Sequence, residues 1–452
     1  MEARTLTTRR DPIELLQALI RNACVNDGTP QSGQEVRNVD TLAAYLGTSG
    51  IETEVFEAAP GRASLVARIG GAQRGAPALC LMGHTDVVPV NPAGWDRDPF
   101  GGELVDGEVW GRGAVDMLNL TATMAVAFRE LARTGFRPRG DVIFFAVADE
   151  ESGSGYGARW MADHHWDAIR ADFVLTEGGG LHGGTAQAPV VTVSVAEKGV
   201  SWRRLRVTGE PGHGSMPFRT NNALVKAAAV VRRLADYAPR ARLHEFWGSQ
   251  VATLDVDEAA KRVLLDAGAI DDALAQMEDV GVARALHACC HTTFSCNVIG
   301  GGSKTNVIPD RVDLEVDVRL LPGDDAAAID RHLRDALGDL AADVAVETIF
   351  AHSPSTSPVN TRLWDSIERA VAKRFASTRL APILHMGFTD ARIYRERGSV
   401  AYGAGLFDAT LASGDFARRF HGHNERIDVE SLHLTTDFWL DVVRDFDSHI
   451  ST

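Results

Sequence analysis

The sequence predicts an α/β fold in which a mostly parallel central sheet is flanked by helices. Three short, almost entirely apolar runs occupy residues 78–82, 142–148 and 173–175, and helix-length segments such as residues 120–134 lie between them. Such runs are typical of parallel strands that are buried on both faces. The chain has 452 residues, which is too many for one ordinary hydrophobic core, so we expect two domains.

A second pattern begins after residue 197. Residues 200–208 and 312–320 alternate apolar and polar positions, which is typical of half-exposed antiparallel strands. Residues 223–237 and 324–337 have the periodicity of helices. We therefore expect the second domain to be α+β, with two helices packed on an antiparallel sheet.

Composition and charge exclude several classes of partner. The net charge is −15, and no block of lysine or arginine is long enough to follow a phosphate backbone. No apolar run approaches the roughly 20 residues of a membrane-spanning helix, and residues 1–10 lack the apolar stretch of an export signal. The five cysteines are scattered and odd in number, as is typical of reduced thiols. We expect no nucleic acid partner, no membrane partner and a cytoplasmic location.

Each of the three apolar runs is followed by side chains that can bind metals. His84 and Asp86 follow the first run, Glu150 and Glu151 the second, and Glu177 the third. Because ligands of open parallel sheets bind beyond the carboxyl ends of the strands, these residues are expected at one site. Each residue alone has an ordinary explanation, such as a solvated surface carboxylate, but their recurrence at three strand ends favours a functional site.

Further candidates lie outside these strand ends. Asp116 follows a glycine-flanked stretch, residues 111–115, that would let a loop bend inward. His421 and His423 supply imidazoles near the end of the chain. About two histidines with several carboxylates suit a hydrolytic zinc site that keeps one position open for water.

The two adjacent glutamates that follow the second apolar run are expected to have different roles. Glu150 and Glu151 cannot both point the same way from an extended chain. One is expected to bind metal and the other to act as a general base.

Six motifs then resemble a known family in sequence and in order. The family comprises the zinc-dependent exopeptidases and deacylases, among them aminoacylases, acetylornithine deacetylase, succinyl-diaminopimelate desuccinylase and carboxypeptidase G. The resemblance covers nearly the whole chain. The motifs are GHTDVVP (83–89), GRGAVDM (111–117), ADEESGSGYGA (148–158), TEGGG (176–180), GHGSMP (212–217) and HGHNE (421–425).

The resemblance implies two zinc ions per subunit, with cobalt or manganese as alternative ions. It implies that His84 and Glu177 bind one ion, that Glu151 and His421 bind the other, and that Asp116 bridges the two.

The family pattern His-x-x-Asn-Glu selects His421 over His423, which remains the alternative ligand. By the same resemblance, Asp86 holds His84 from behind and Glu150 is the general base.

The resemblance also assigns substrate-binding positions. His213 matches a histidine that reaches the partner's active site in dimeric relatives and stabilises the oxyanion. Asn297 and Arg319 match residues that hold a substrate carboxylate, for which the planar guanidinium of arginine is suited. Gly387 begins a turn that resembles a substrate-contacting turn of the family.

The family likeness extends to domain organisation. It implies a discontinuous catalytic domain, residues 1–197 and 351–452, with an inserted lid and dimerisation domain, residues 198–350. Residues 241–287 are expected to be mostly helical and to elaborate the lid. A homodimer through the lid is expected.

The predicted reaction is hydrolysis of an amide bond next to a carboxylate-bearing amino acid. The substrate is expected to be a small peptide, cut by a dipeptidase or carboxypeptidase. The alternative substrate is an N-acyl amino acid, cut by a deacylase. A non-catalytic binding protein is a remote alternative, since every expected ligand and the base are present.

Overall fold

The computed structural model describes residues 2–449, and the first part of the chain supplies most of a large sheet. Its helices are α1 (Glu2–Arg21), α2 (Val36–Gly47), α3 (Leu118–Arg133), α4 (Ala158–His164) and α5 (Trp166–Ile169). Its strands are β1 (Thr53–Ala59), β2 (Arg62–Ile69), β3 (Leu79–His84), β4 (Glu103–Val105), β5 (Glu108–Trp110), β6 (Val142–Val147), β7 (Phe173–Thr176), β8 (His182–Thr185) and β9 (Ala188–Glu197).

The middle of the chain forms a separate antiparallel sheet and most of the short helices. Its strands are β10 (Gly199–Thr208), β11 (Gly212–His213), β12 (Thr293–Gly301), β13 (Val307–Ile308), β14 (Arg311–Leu320) and β15 (Val344–His352). Its helices are α6 (Ala223–Asp236), α7 (Trp247–Ala252), α8 (Glu258–Leu264), α9 (Ile270–Gln276), α10 (Val280–Cys290) and α11 (Ala326–Leu337).

The last part of the chain returns to the large sheet. It contains β16 (Ser355–Thr356), α12 (Arg362–Ala372), β17 (Arg379–His385), α13 (Ala391–Glu396), β18 (Val400–Gly403), α14 (Ser413–Arg419), β19 (Arg426–Asp428) and α15 (Val429–Ser448). Short 3-10 helices lie at Pro92–Gly94, Glu150–Ser152 and Gly338–Asp343.

The large sheet has ten strands and a parallel centre. Its order is β1-β2-β6-β3-β7-β18-β9-β16, and β8 and β17 also pair with β9. Strand β3 is parallel to β6 and β7, and β18 is parallel to β7. Every residue of β3 and β6 is buried, because α3 packs on the sheet and covers the central strands. The predicted α/β architecture is confirmed.

The second sheet is antiparallel throughout, in the order β12-β14-β10-β15. Alternate residues of β14 are buried, and their side chains form a core with those of α6 and α11. The opposite face of this sheet carries the remaining side chains. The strand alternation thus separates an apolar face under the helices from a more exposed face.

The chain crosses between the two sheets twice. Strand β9 ends in the large sheet at Glu197, and β10 begins in the antiparallel sheet at Gly199. Strand β15 ends at His352, and β16 pairs again with β9. The proposed limits of the inserted domain, residues 198 and 350, lie beside these crossings.

Helices α7 to α10 contain most of the 241–287 segment, and they pack on the large sheet. The buried side chains of Phe246, Trp247 and Leu274 belong to the main hydrophobic core rather than to that of the antiparallel sheet. The side chain of Gln250 in α7 accepts a hydrogen bond from the backbone of Leu384 in β17 at 3.2 Å. The segment therefore covers the β17 side of the main sheet instead of elaborating the lid core.

Among residues 2–449, no helix combines the length and the apolar character needed to cross a bilayer.

Candidate active site

Parallel pairing of β6, β3 and β7 brings three strand ends to one edge of the large sheet. His84 is the last residue of β3. Glu150 and Glu151 begin the 3-10 helix that follows β6, and Glu177 directly follows β7. Because these strands are neighbours in the sheet, their carboxyl ends place these side chains together.

Two groups of potential metal ligands share Asp116. His84 Nε2 lies 3.0 Å from Asp116 Oδ1 and 3.8 Å from Glu177 Oε1. His421 Nε2 lies 2.8 Å from Asp116 Oδ2 and 3.3 Å from Glu151 Oε2. Within each group the three ligand atoms lie within 4.8 Å of one another.

The charges of these groups fit a pair of cations. Burial raises the pKa of Glu177 well above its ordinary value, and the charge of Asp116 adds to this effect. Burial also raises the pKa of Glu151 to about 7, and its Oε1 atom has no hydrogen-bond partner among the described residues. Divalent cations compensate such a concentration of carboxylates, and mixed imidazole and carboxylate donors suit zinc-class ions. The donor set therefore fits two such ions.

Asp86 supports both sides of the site. Its backbone carbonyl oxygen lies 2.9 Å from His84 Nδ1, whereas its carboxylate Oδ1 lies 3.5 Å from the same nitrogen. The carboxylate instead accepts hydrogen bonds from the backbone N–H groups of Glu150 and Glu151, both at 3.2 Å. Asp86 thus orients the imidazole mainly through its backbone, and orients the acidic turn through its side chain.

Glu425 fixes the loop that carries Asp116. Its Oε1 atom accepts hydrogen bonds from the backbone N–H groups of Gly113, Val115 and Asp116, at 3.1, 2.6 and 3.0 Å. Its Oε2 atom pairs with Arg112 Nη1 at 2.6 Å, and both side chains are buried. The peptide bond between Asp116 and Met117 is cis. The HGHNE segment therefore supplies both a potential ligand and the anchor of the bridging carboxylate.

A cleft of about 280 Å³ opens beside the two groups. Glu150 borders it and is buried, which raises the pKa of its carboxyl well above the ordinary value; the charges of Asp390 and Glu151 act in the same direction. The other residues that line the cleft are Asp116, Ser152, Gly153, Glu177, Trp202, Arg319, His385, Gly387, Phe388, Thr389, Phe420 and His421. The cleft thus joins the potential metal centre to residues of both sheets.

A comparison with protein families identifies the chain. Residues 80–445, most of the sequence, match the family described as peptidase family M20/M25/M40. The chain belongs to the M20 peptidase family. Like other members of this family, the chain is a hydrolytic enzyme.

Relatives of this M20 enzyme act on different amides. The chain is 26% identical over 380 residues to the N-fatty-acyl-amino acid synthase/hydrolase PM20D1 of Xenopus tropicalis, covering 81% of this chain and 72% of that protein. It is 32% identical over 238 residues to the succinyl-diaminopimelate desuccinylase of Rhodopseudomonas palustris, covering 51% of this chain and 58% of that protein.

Solved structures share the fold over almost the full length. The M20 metallo-carboxypeptidase Sso-CP2 of Sulfolobus solfataricus superposes with a TM-score of 0.69 at 19% identity, covering 97% of this chain and 99% of that chain. The YXEP protein of Bacillus subtilis, described as a dinuclear metal-binding peptidase of the family, gives a TM-score of 0.61 at 14% identity, covering 97% and 98%.

His421 and His423 of this M20 enzyme occupy different surroundings. His421 has a positive φ of 55° and directs its ring toward Asp116 and Glu151. The ring of His423 packs against Gly94, where an added Cβ would lie 2.2 Å from it. His423 belongs to neither of the two ligand groups found among residues 2–449.

The expected substrate-binding residues divide into two sets. Arg319 and Gly387 line the cleft. Arg319 forms a two-pronged ion pair with Asp317, at 2.8 and 3.1 Å. His213 and Asn297 are exposed and are not among the described residues that line the cleft.

Several supporting residues carry no signal in the sequence. Asn26 donates hydrogen bonds to the carboxylates of Asp86 and Asp149, at 2.8 and 2.9 Å. Arg62 pairs with Glu35 at 2.8 Å and with Asp149 at 2.6 Å, and all three side chains are buried. Asp149, with a φ of 64°, directly precedes the acidic pair. This network holds the turn that presents Glu150, yet its members are scattered along the chain.

Proposed function

We propose that this M20 enzyme hydrolyses an amide bond next to the free carboxylate of a small peptide, as a dipeptidase or carboxypeptidase does. The observation that carries the proposal is the position of Glu150. This buried carboxyl borders the cleft between the two potential ligand groups and Arg319. Such a reaction requires a general base next to a cation site, to activate water, and a positively charged group that binds the substrate carboxylate, such as an arginine.

The metal centre is proposed to contain two zinc ions. His84 and Glu177 would hold one ion, Glu151 and His421 the other, and Asp116 both, in keeping with the distances between their ligand atoms. When bound, such ions supply Lewis acidity, which polarises a carbonyl group and makes water more acidic. Cobalt and manganese remain alternatives, because mixed nitrogen and oxygen sites accept several divalent metals.

Glu150 is proposed as the general base. It would accept a proton from the attacking water and pass it to the leaving nitrogen, so that the nitrogen departs as a neutral amine rather than as an amide anion. The raised pKa of this buried carboxyl brings it toward the pH at which proton transfer in both directions is efficient. Asp86 acts as a positioning residue, since it holds the backbone of the turn that carries the base.

Arg319 is proposed to bind the substrate carboxylate. Asp317 accepts hydrogen bonds from Nε and Nη2 of Arg319 and so holds this side chain on the cleft wall, which leaves the remaining N–H groups of the two Nη atoms to bind a substrate carboxylate. Gly387 lies in the same wall and would let the substrate backbone approach closely.

A homodimer is proposed to complete the site. Strand β12 lies at the edge of the antiparallel sheet, and apolar side chains of β12 and the nearby α6 are exposed, among them Ile299 (57%) and Val225 (68%). Such a surface favours pairing with a second copy. His213 and Asn297 are exposed outside their own cleft, so they are proposed to serve the partner's cleft, where His213 would stabilise the oxyanion and Asn297 would contact the substrate carboxylate.

N-acyl amino acids are the alternative substrates. They offer the same amide and the same carboxylate, and the similarity to an N-fatty-acyl-amino acid hydrolase extends over 81% of the chain. A cytoplasmic location is also proposed, because all five cysteines are free thiols.

The proposal is tested with zinc-loaded wild type and the Glu150→Gln variant on a panel of dipeptides, N-acetyl amino acids and N-succinyl amino acids. The variant is expected to lose about 10²- to 10⁴-fold in kcat, because the base is removed while the shape is kept. Its zinc content should equal that of wild type. Glu103→Gln, at an exposed ion pair, is the control and should keep full activity. A fully zinc-loaded wild type that cleaves nothing on the panel would refute the proposal.

A further inference from the structure

The antiparallel sheet has an aromatic patch on the face opposite its helices. Trp202 of β10 lies directly opposite Phe350 of β15, and their ring centroids are 5.2 Å apart. Phe388, which follows β17 of the large sheet, continues the patch with a centroid 6.2 Å from that of Phe350. These three residues, here named the aromatic wall, join the two sheets at the cleft.

The rest of this sheet face is charged. Further along β10, Arg204 pairs with Glu315 at 2.8 Å, and Arg206 pairs with Asp313 at 3.1 Å. Trp202 packs on Phe350, yet 39% of its surface remains accessible beside these ion pairs. A large apolar side chain left open at a cleft marks a binding surface.

The aromatic wall lies beside the arginine that is proposed to bind the carboxylate. Trp202 is directly opposite Asp317, and Asp317 holds Arg319 two residues further on the same sheet face. The guanidinium carbon of Arg319 lies 5.5 Å from the ring centroid of Phe388. Both Trp202 and Phe388 line the cleft. The proposed carboxylate-binding residue and the apolar surface are therefore adjacent in the cleft.

Because Arg319 lies next to the aromatic wall, binding of the substrate carboxylate determines which part of the substrate contacts the wall. In an amino acid, the side chain branches from the carbon that carries the carboxylate. A carboxylate paired with Arg319 consequently brings its own side chain, rather than the distant acyl group, against Trp202 and Phe388. We infer that the enzyme selects substrates whose carboxylate-bearing amino acid has an aromatic or large aliphatic side chain. This inference rests on the proposed function and specifies its substrate class.

The charge of the cleft disfavours acidic side chains at this position. Among the described residues that line the cleft, Arg319 is the sole lysine or arginine, and the substrate carboxylate would occupy it. The guanidinium carbon of Arg392 lies 4.5 Å from the ring centroid of Phe388, but Arg392 is buried and donates hydrogen bonds to Thr389 and Ser154. A second carboxylate, as in glutamate, would therefore face the aromatic wall without an accessible cation and near the buried acidic groups. Such a substrate would lose solvation without gaining a partner.

Kinetics with N-acetyl-phenylalanine, N-acetyl-leucine, N-acetyl-alanine and N-acetyl-glutamate test the inference. For the zinc-loaded wild type, kcat/KM for the phenylalanine substrate is expected to exceed that for the alanine and glutamate substrates by about 10- to 100-fold. Trp202→Ala and Phe388→Ala should each reduce the phenylalanine-to-alanine ratio about tenfold, mainly through KM, and Trp202→Phe should restore most of it. Leu104→Ala, an exposed apolar residue outside the cleft, is the control and should keep the wild-type ratio.

Binding separates failure of this inference from failure of the proposed function. Calorimetry with zinc-loaded Glu150→Gln should give tighter binding of N-acetyl-phenylalanine than of N-acetyl-glutamate, with the difference reduced by an added Trp202→Ala substitution. Hydrolysis of all four substrates at similar kcat/KM would overturn the inference and leave the proposed function standing. If none of the four is hydrolysed, the dipeptide panel decides the proposed function, whereas equal or reversed binding of the two ligands would overturn the inference whatever that panel shows.

Discussion

Glu425 accepts a hydrogen bond at 3.0 Å from the backbone N–H of Asp116, a residue 309 positions earlier in the chain. The same carboxylate pairs with buried Arg112. The last part of the chain therefore holds the loop on which both ligand groups depend. Loss of this contact should affect stability and metal binding together.

Glu425→Gln is expected to lower the free energy of unfolding by about 3 to 5 kcal/mol, because it leaves the charge of Arg112 buried without its partner. Zinc affinity should fall by about 10- to 100-fold, as is typical when a residue that supports metal ligands is removed. Urea unfolding and competition with a chelator measure the two effects. Glu103→Gln, at an exposed ion pair, should change the unfolding free energy by less than about 1 kcal/mol. Wild-type zinc affinity in Glu425→Gln would contradict the supporting role.

The buried network behind the acidic turn should show energetic coupling. Arg62 and Glu35 form a buried, two-pronged ion pair. Glu35→Gln and Arg62→Met should each destabilise the protein, whereas the double variant should lose less than the sum of the two, with a coupling of at least about 1 kcal/mol. A double-mutant cycle by urea unfolding measures this coupling. Strict additivity would show that the pair does not act as a unit.

Mixed dimers test whether His213 serves the partner's site. A heterodimer of His213→Ala and Glu150→Gln subunits has one site with an intact Glu150 and an intact His213 from the other subunit. Co-expression of the two inactive variants should therefore restore about a quarter of wild-type activity, as expected for random pairing of subunits that act across the interface. No recovery in a mixture shown to contain heterodimers would place His213 outside the partner's site.

Acid sensitivity should depend on His244. Burial lowers the pKa of this imidazole to about 4, against an ordinary value of 6.5, and its Nε2 atom is buried without a hydrogen-bond partner among the described residues. The unfolded chain therefore binds the extra proton between pH 6.5 and 4, and the stability of the folded state falls as the pH decreases through this window.

The His244→Asn variant keeps an acceptor for the backbone N–H of Phe246 but removes the titrating ring. The difference in unfolding free energy between variant and wild type should shift in favour of the variant as the pH falls from 7 to 4.5, by at most about 1.4 kcal/mol per pH unit. Urea unfolding at a series of pH values measures this difference. Parallel stability curves for the two proteins would contradict the expectation.

The strand ends were predictable because their signal is local. A continuous apolar run indicates a strand buried on both faces, and the residues that follow it must lie at the edge of the sheet. His84, Glu151 and Glu177 could be singled out in this way. The alternating residues of β10 and β14 likewise indicated an antiparallel sheet with one covered face.

The supporting contacts were not predictable in the same way. Asp86 was expected to hold His84, and its carbonyl oxygen lies 2.9 Å from His84 Nδ1. Its carboxylate also bonds the turn after β6, because the parallel pairing of β3 and β6 brings that turn within reach, and this second contact had no signal in the sequence. Residues 241–287 had a helical pattern, but the pattern does not indicate which sheet the helices cover.

The sequence by itself determined the fold class, the family and the candidate metal ligands, because periodic burial and short motifs depend on neighbours in the chain. Only the tertiary structure decided which distant residues support them. Glu425 bonds Asp116, and Trp202 and Phe388 line one cleft, because segments far apart in the chain are brought together by the fold. Such contacts join residues that are far apart in the chain, and no local pattern of residues indicates which distant segments will be neighbours in the fold.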